Sequence, residues 1–288
     1  MYNMNRRDFL RGSAGLVAAS MMAATPAQEA PLTATTLRRL GNTGLSTTLL
    51  GMGTGTKASN KNSAQIRKGR ETFLNTLVRG YELGVRYFDL SDSYGSHEYM
   101  REAMRRGGMD RSKLLLLTKS GVETKEEMSA NLERFRRELE VDYIDVVLMH
   151  CLTDPEAMEK RKGAMEALSE AKQKGIIKAH GVSCHNLGAM KAASESPWVD
   201  VMLSRINPYQ KHMDGSAEEV VEVLKRAKAN GKGMLGMKIL GEGLCADRFV
   251  ESVRFALGTG CIDAFTIGFL EPGEVEDGVA KIAEAARA

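Results

Sequence analysis

Four side chains in this sequence have the means for acid–base chemistry at a carbonyl group: Asp89, Tyr94, Lys119 and His150. Asp89 and Tyr94 share the stretch Val85-Arg86-Tyr87-Phe88-Asp89-Leu90-Ser91-Asp92-Ser93-Tyr94-Gly95, which begins apolar and ends as a polar loop. A phenol has a free pKa of about 10 and donates its proton usefully only where a cation stabilises the phenolate. Lys119, which closes the run Leu114 to Thr118, is the candidate cation, with Asp89 as its counter-ion. Its field is expected to lower the pKa of Tyr94. His150 follows Asp145-Val146-Val147-Leu148-Met149 and could donate a hydrogen bond to the same carbonyl oxygen. Taken singly, each residue has a plainer reading: a cap or turn for the Asp, packing for the Tyr, a surface charge for the Lys, a core imidazole for the His. The joint reading rests on all four falling at the same end of three successive strands.

Those strands belong to a longer alternation. Leu37 to Leu40 and Thr47 to Leu50 flank Gly41-Asn42-Thr43-Gly44 and predict a β-hairpin. Strands are then expected at 49–52, 85–90, 114–117, 143–149, 176–183, 201–204, 234–238 and 262–267. Helical spacing separates them, as in Leu74, Leu77, Val78 and Tyr81, and in Met128, Leu132, Phe135 and Leu139. Thr124 with Glu127, and Ser216 with Glu219, form capping boxes. Asp154-Pro155 predicts the start of the fourth helix, and Gly175 its stop. The expected fold class is α/β, a (β/α)8 TIM barrel with an N-terminal β-hairpin, in one domain over residues 34–288. A doubly wound open sheet would want G-x-G-x-x-G after its first strand, and Gly51-Met52-Gly53-Thr54-Gly55 lacks the third glycine. In a barrel the reactive residues sit at the C-terminal strand ends, where Asp89, Lys119 and His150 fall.

The chain has 288 residues, 43% hydrophobic and 27% charged, with a formal charge of +3. Basic residues are dispersed, which argues against nucleic-acid binding. No apolar run reaches the length of a membrane span, so no stable membrane span is expected. Asn5-Arg6-Arg7-Asp8-Phe9-Leu10-Arg11, the weakly apolar run Ser13 to Ala24 and the small residues around Thr25-Pro26-Ala27 have the layout of a signal peptide over residues 1–27. This segment resembles a bacterial twin-arginine export signal. The resemblance implies the twin-arginine export machinery as a partner and a periplasmic or otherwise exported location.

Of the four cysteines, Cys151, Cys184, Cys245 and Cys261, none makes a C-x-x-C pair. His150-Cys151 and Cys184-His185 end adjacent strands and invite either a metal site or a disulfide. Alternation lets only one residue of each pair face the barrel axis, so no metal is expected, and a Cys151–Cys184 bridge is the favoured pairing after export.

The residues together resemble the aldo-keto reductases over nearly the whole chain beyond residue 27. Leu40-Gly41-Asn42-Thr43-Gly44-Leu45 with Leu50-Gly51-Met52-Gly53-Thr54, then Tyr87-Phe88-Asp89 to Tyr94-Gly95, Thr118-Lys119, Leu148-Met149-His150 and Gly181-Val182-Ser183 carry the likeness. It implies that Asp89, Tyr94, Lys119 and His150 form a catalytic tetrad, that Tyr94 is the acid/base, and that an aldehyde or ketone is reduced with NADH or NADPH without a metal. The implied cofactor site comprises Gly53, Thr54, Asp89, Ser183, Cys184, Met237, Lys238, Leu240, Gly241, Gly243, Gly268, Phe269 and Glu274.

This site departs from the family's pattern. Ser183-Cys184 stands where many members have Ser-Asn, and Met237 where many stack a Tyr on the nicotinamide. Methionine still packs on a flat ring, and Gly241 and Gly243 let backbone amides approach a pyrophosphate. After the last strand, Ile267-Gly268 runs into Phe269, Leu270, Glu271, Pro272, Gly273 and Glu274, with neither of the cations that clamp a 2′-phosphate. NAD(H) is therefore expected over NADP(H). The loop Gly53-Thr54-Gly55-Thr56 lacks an aromatic wall, and the single Trp198 precedes the sixth strand at the far end, which suits a polar, sugar-like or large carbonyl substrate. Two rival readings use the same barrel: a slow cofactor-binding redox sensor or partner module, and a lyase with Lys119 as Schiff-base nucleophile.

Overall fold

The structure, a computed structural model, describes residues 31–287; the expected export signal lies outside them. The hairpin forms as expected, with β1 (Leu37–Arg39) antiparallel to β2 (Ser46–Thr48). It closes the N-terminal mouth of a barrel. Leu40 joins the interior cluster, Gly41 N donates to Asp263 Oδ2, and Asn42 N donates to the Gly231 carbonyl. A side chain at Gly41 would strike the backbone of Lys232 and Gly233, so the turn needs glycine.

The barrel strands and their helices follow in chain order. β3 (Leu50–Gly53) leads through the short α1 (Ala64–Arg67) to α2 (Arg70–Glu82). Next come β4 (Tyr87–Asp89), α3 (His97–Arg106), β5 (Leu115–Ser120), α4 (Lys125–Leu139) and β6 (Ile144–Leu152). Beyond β6 are α5 (Ala157–Lys160), α6 (Lys162–Gln173), β7 (Ile177–Cys184), α7 (Leu187–Glu195) and β8 (Val201–Arg205). The chain continues through α8 (Ala217–Ala229), β9 (Gly233–Met237), α9 (Phe249–Gly258), β10 (Ala264–Gly268) and α10 (Pro272–Ala285). The parallel strands close in the order β10-β3-β4-β5-β6-β7-β8-β9. This is the expected (β/α)8 architecture.

Period-two alternation sorts the side chains into two cores. Tyr87, Leu115, Leu117, Val146, Leu148, Ala179, Leu203 and Leu235 fill the barrel interior. Phe88, Leu116, Val147, Met149, Val182 and Cys184 pack outward against the helices. Both capping boxes form, at Thr124/Glu127 and Ser216/Glu219.

One expected helix start fails. Asp154-Pro155 makes a turn instead, with Asp154 Oδ1 accepting from Glu156 N at 3.0 Å, and helix begins at Ala157. It breaks again at Arg161 (φ −109°, ψ 27°), whose guanidinium reaches back to donate to the His150 carbonyl at 2.7 Å.

Candidate active site

The inward series on three neighbouring strands run out of apolar residues together. On β4, Tyr87 is followed by Asp89; on β5, Leu115 and Leu117 by Lys119; on β6, Val146 and Leu148 by His150. Asp89 and Lys119 are 5% and 1% exposed and form an ion pair. Lys119 Nζ also donates to the Leu90 carbonyl at 2.8 Å and lies 3.5 Å from the Tyr94 hydroxyl. An ammonium has three protons, and these three contacts use them all. The His150 ring stands edge-on to Tyr94, centroids 5.7 Å apart, and its Nδ1 is 3.1 Å from Ser91 Oγ.

The expected lowering of the Tyr94 pKa is overturned. Burial raises it well above the ordinary phenol value, and the Asp89 carboxylate adds to that rise. Because Asp89 is paired to Lys119, the lysine's field is largely cancelled at the phenol. Tyr94 is consequently a protonated donor at neutral pH. Burial and then Lys119 depress His150 to about 3, so its imidazole is neutral.

Tyr94 is placed by a 3-10 turn over Asp92–Tyr94 that is clamped from outside the barrel. Arg134 Nη1 donates to Asp92 Oδ1 at 2.9 Å, and its Nη2 pairs with Oδ2 at 2.9 Å. The same guanidinium binds Glu138 and Asn131, each at 2.8 Å. Asn131 donates to Ser120 Oγ, while Glu138 bonds His97, whose other nitrogen is 2.7 Å from Thr118 Oγ1. One face of α4 therefore grips the tyrosine turn and both neighbours of Lys119. A further determinant is Gly55, where a Cβ would fall 2.3 Å from the Tyr94 ring. Neither Arg134 nor Gly55 stood out in the sequence. Spacing of 131, 134 and 138 marks one face of α4, but not what that face meets.

A cleft of about 470 Å³ runs from Asp89 and Tyr94 toward the start of α10. Of the expected cofactor residues, Gly53, Asp89, Met237, Lys238, Leu240, Gly243, Gly268, Phe269 and Glu274 line it. Thr54, Ser183, Cys184 and Gly241 do not. Thr54 Oγ1 donates to the Asp89 carbonyl at 2.8 Å, so it braces β4 from behind. Ser183 Oγ accepts from Cys151 N at 2.9 Å. Gly241 is buried at positive φ, where a Cβ would meet Lys211 at 2.7 Å, and its amide already donates to the Lys238 carbonyl at 2.8 Å. Glu242, missed in the sequence, ties two loops across the cleft by accepting from Lys57 N at 2.9 Å and pairing with Lys238 at 3.3 Å.

The far end also departs from expectation. A cation does line it: Lys281, on α10 well past the last strand. Asp277 pairs with it at 2.6 Å, and Glu274 stands beside them. The donor set fits a dinucleotide. The cleft lining combines apolar Met237, the Gly243 backbone and the carboxylates of Glu274 and Asp277, which can accept from ribose hydroxyls.

The cysteines remain free thiols, so the Cys151–Cys184 bridge does not form. A register shift between Met149 and Leu152 sets Leu152, not Cys151, opposite Cys184. Cys184 packs in the outer core, whereas Cys151 takes a left-handed φ of 59°. Trp198 lies at the far end as expected, stacked on His180.

Comparison with known proteins accords with this geometry. The aldo/keto reductase family matches residues 50–256, and the TAT (twin-arginine translocation) pathway signal sequence matches residues 3–23. Methylglyoxal reductase DkgB of Salmonella typhi is 26% identical over 166 residues, 56% of this chain and 59% of that relative's length. L-galactose dehydrogenase of Arabidopsis thaliana is 25% identical over 225 residues, 74% of this chain and 67% of the relative. Among solved structures, an aldo-keto reductase from Bacillus halodurans superposes with a TM-score of 0.69 at 16% identity, over 87% of this chain and 94% of that one.

Proposed function

The chain belongs to the aldo/keto reductase family, and from that premise we propose that it moves a hydride between a nicotinamide cofactor and a carbonyl or alcohol, with Tyr94 as proton donor. The cofactor, when bound, supplies the hydride and its electron pair to the carbonyl carbon. Tyr94 gives its proton to the oxygen that receives the C=O π pair, so the carbonyl becomes CH–OH and a phenolate is left beside Lys119. The proton that Lys119 Nζ directs at the Tyr94 oxygen holds that phenolate by a hydrogen bond, and Asp89 keeps the ammonium charged in its buried position. In the tautomer whose Nδ1 accepts from Ser91, 3.1 Å away, the His150 ring proton sits on Nε2 and orients the substrate oxygen.

The observation that carries this reading is the Tyr94 hydroxyl 3.5 Å from Lys119 Nζ, where the cleft meets the tetrad. Met237, Lys238, Gly243, Gly268 and Phe269 would hold the cofactor. Glu274 and Asp277, with Lys281 already paired, favour NAD(H) over NADP(H), since a 2′-phosphate would meet two carboxylates. The relatives' names, methylglyoxal reductase and L-galactose dehydrogenase, point to small oxygen-rich substrates. The export signal extends the proposal to the periplasm, which cell fractionation tests.

Tyr94→Phe is the direct test, assayed with methylglyoxal and either reduced cofactor. It is expected to lower kcat/KM by about 10²–10⁴-fold while nicotinamide binding persists. Undiminished turnover would remove Tyr94 from the role. Tighter binding of NADPH than NADH would overturn the cofactor preference.

A further inference from the structure

Beside the tetrad stands a second imidazole that the mechanism above does not use. His185 follows β7, its centroid 6.4 Å from that of His150 and its ring at 89° to it. Two anchors fix its place: His185 N donates to the Leu152 carbonyl at 2.8 Å, and the side-chain oxygen of the next residue, Asn186, caps α7 by accepting from Ala189 N at 3.0 Å. The ring is half-buried, and among the described residues no group hydrogen-bonds it. Burial, with Arg205, Lys238 and Lys119 nearby, lowers its pKa to about 4, so it is a neutral donor and acceptor.

The surrounding charges narrow what it can bind. Lys119 is paired with Asp89, Lys238 with Glu242 at 3.3 Å, and Arg205 with Asp214, Nε to Oδ2, at 3.0 Å. Each of these three cations already has its acid, so none of the three is free to take a carboxylate. What stands open to a ligand is a pair of neutral imidazoles side by side. A ring nitrogen holds an oxygen at about 2.9 Å, so rings spaced as these are can each take one of two oxygens on adjacent carbons.

Resting on the reductase reading, we infer that His185 is a specificity residue that binds the oxygen next to the reacting carbonyl, making neutral 2-hydroxy- and 2-oxo-carbonyl compounds the substrate class. His150 takes the reacting oxygen, and His185 takes its neighbour. A substrate lacking the second oxygen leaves the half-buried ring unsatisfied, which is where discrimination arises.

The test compares hydroxyacetone with 2-butanone, which differ by one hydroxyl in place of a methyl, and with pyruvate, which carries a carboxylate. Wild-type protein with saturating NADH is expected to favour hydroxyacetone over both by about tenfold or more in kcat/KM. His185→Leu should erase that ratio by slowing hydroxyacetone alone, and His185→Gln, which keeps a donor and an acceptor, should restore part of it. Equal rates on hydroxyacetone and 2-butanone, or a ratio unmoved in His185→Leu, overturn the inference. A parallel measurement separates this from failure of the reductase reading. With ring-labelled histidine and NAD⁺ bound, the His185 resonance, identified by its loss in His185→Gln, should shift on adding hydroxyacetone but not 2-butanone. That shift without turnover on any carbonyl would keep the subsite and discard the reductase; turnover without the shift would do the reverse.

Discussion

His150 and His180 stand on adjacent strands, both largely out of water, both with imidazoles pushed below the ordinary histidine value by burial. Their surroundings differ. His150 continues the inward series Val146 and Leu148, and its edge faces Tyr94, Lys119 and His185. His180 follows inward-facing Ala179 and so turns toward the helices. There it stacks on Trp198 at 4.2 Å and 5°, with Asp200 3.4 Å away and itself held by Lys172 at 2.6 Å. Trp198 in turn donates to Ser169 Oγ at 2.9 Å. A depressed pKa therefore does not mark a catalytic imidazole. Direction along the strand and room beside the ring do: the first opens on a polar mouth, the second is sealed by protein.

The strongest test of the polar mouth removes the charge that organises it. Lys119→Met leaves Asp89 ionisable and unpaired in the barrel, and is expected to cost about 3–5 kcal/mol of stability, read by urea unfolding, along with all turnover. The double variant Asp89→Asn/Lys119→Met should regain most of the stability and none of the activity. Activity returning with stability would reduce the pair to a structural bridge and erase the distinction between the two regions.

A matched pair of substitutions addresses the histidines themselves. His150→Gln should lower kcat/KM by about 10²-fold, since the donor to the developing charge is displaced, with little change in Tm. His180→Gln loses the stack on Trp198, worth about 0.5–1.5 kcal/mol, and should lower Tm by about 2–4 °C with turnover intact. The opposite pattern would break the comparison. A smaller effect belongs to the clamp behind Tyr94. Arg134→Met should lower kcat about tenfold through misplacement of the phenol, leaving the cofactor KM unchanged, and Arg134→Lys should rescue it poorly because it cannot grip both Asp92 oxygens.

The inward members of the tetrad were legible because alternation on a barrel strand is a local rule. Leu115, Leu117 and Lys119 declare their side without knowledge of any partner, as do Val146, Leu148 and His150. What stayed hidden depends on contacts between distant segments. The shift between Met149 and Leu152 separates Cys151 from Cys184, and no propensity in β6 announces it. Gly55 reads as one more loop glycine until the Tyr94 ring is seen to need its missing Cβ. Lys281 lies several turns into α10, too far along the chain from the last strand for spacing to tie it to the cleft. The sign of the Tyr94 shift is hidden for a similar reason: the sequence shows the cation, but the degree to which Asp89 cancels it depends on burial.

The least dramatic expectation concerns what the two histidines share. An imidazole buried neutral binds no proton in the folded state until the pH nears its depressed pKa, about 3 for His150, whereas the unfolded chain binds one below about 6.5. Between those limits the unfolded state holds more protons, so stability falls as pH drops, by up to about 1.4 kcal/mol per pH unit for each such group. Above about pH 6.5 neither state is protonated and the dependence vanishes. Urea titrations from pH 7 to pH 4.5 should show this slope, and His150→Gln and His180→Gln should each flatten it by up to one proton. Flattening in both variants with loss of turnover in only one is the result that holds the comparison together, because burial is the leading cause of both depressed values while orientation decides the chemistry. A flattening confined to His150→Gln would mean that Asp200 keeps His180 charged in the fold, and that the sealed imidazole is an ion-pair partner rather than a neutral packing element.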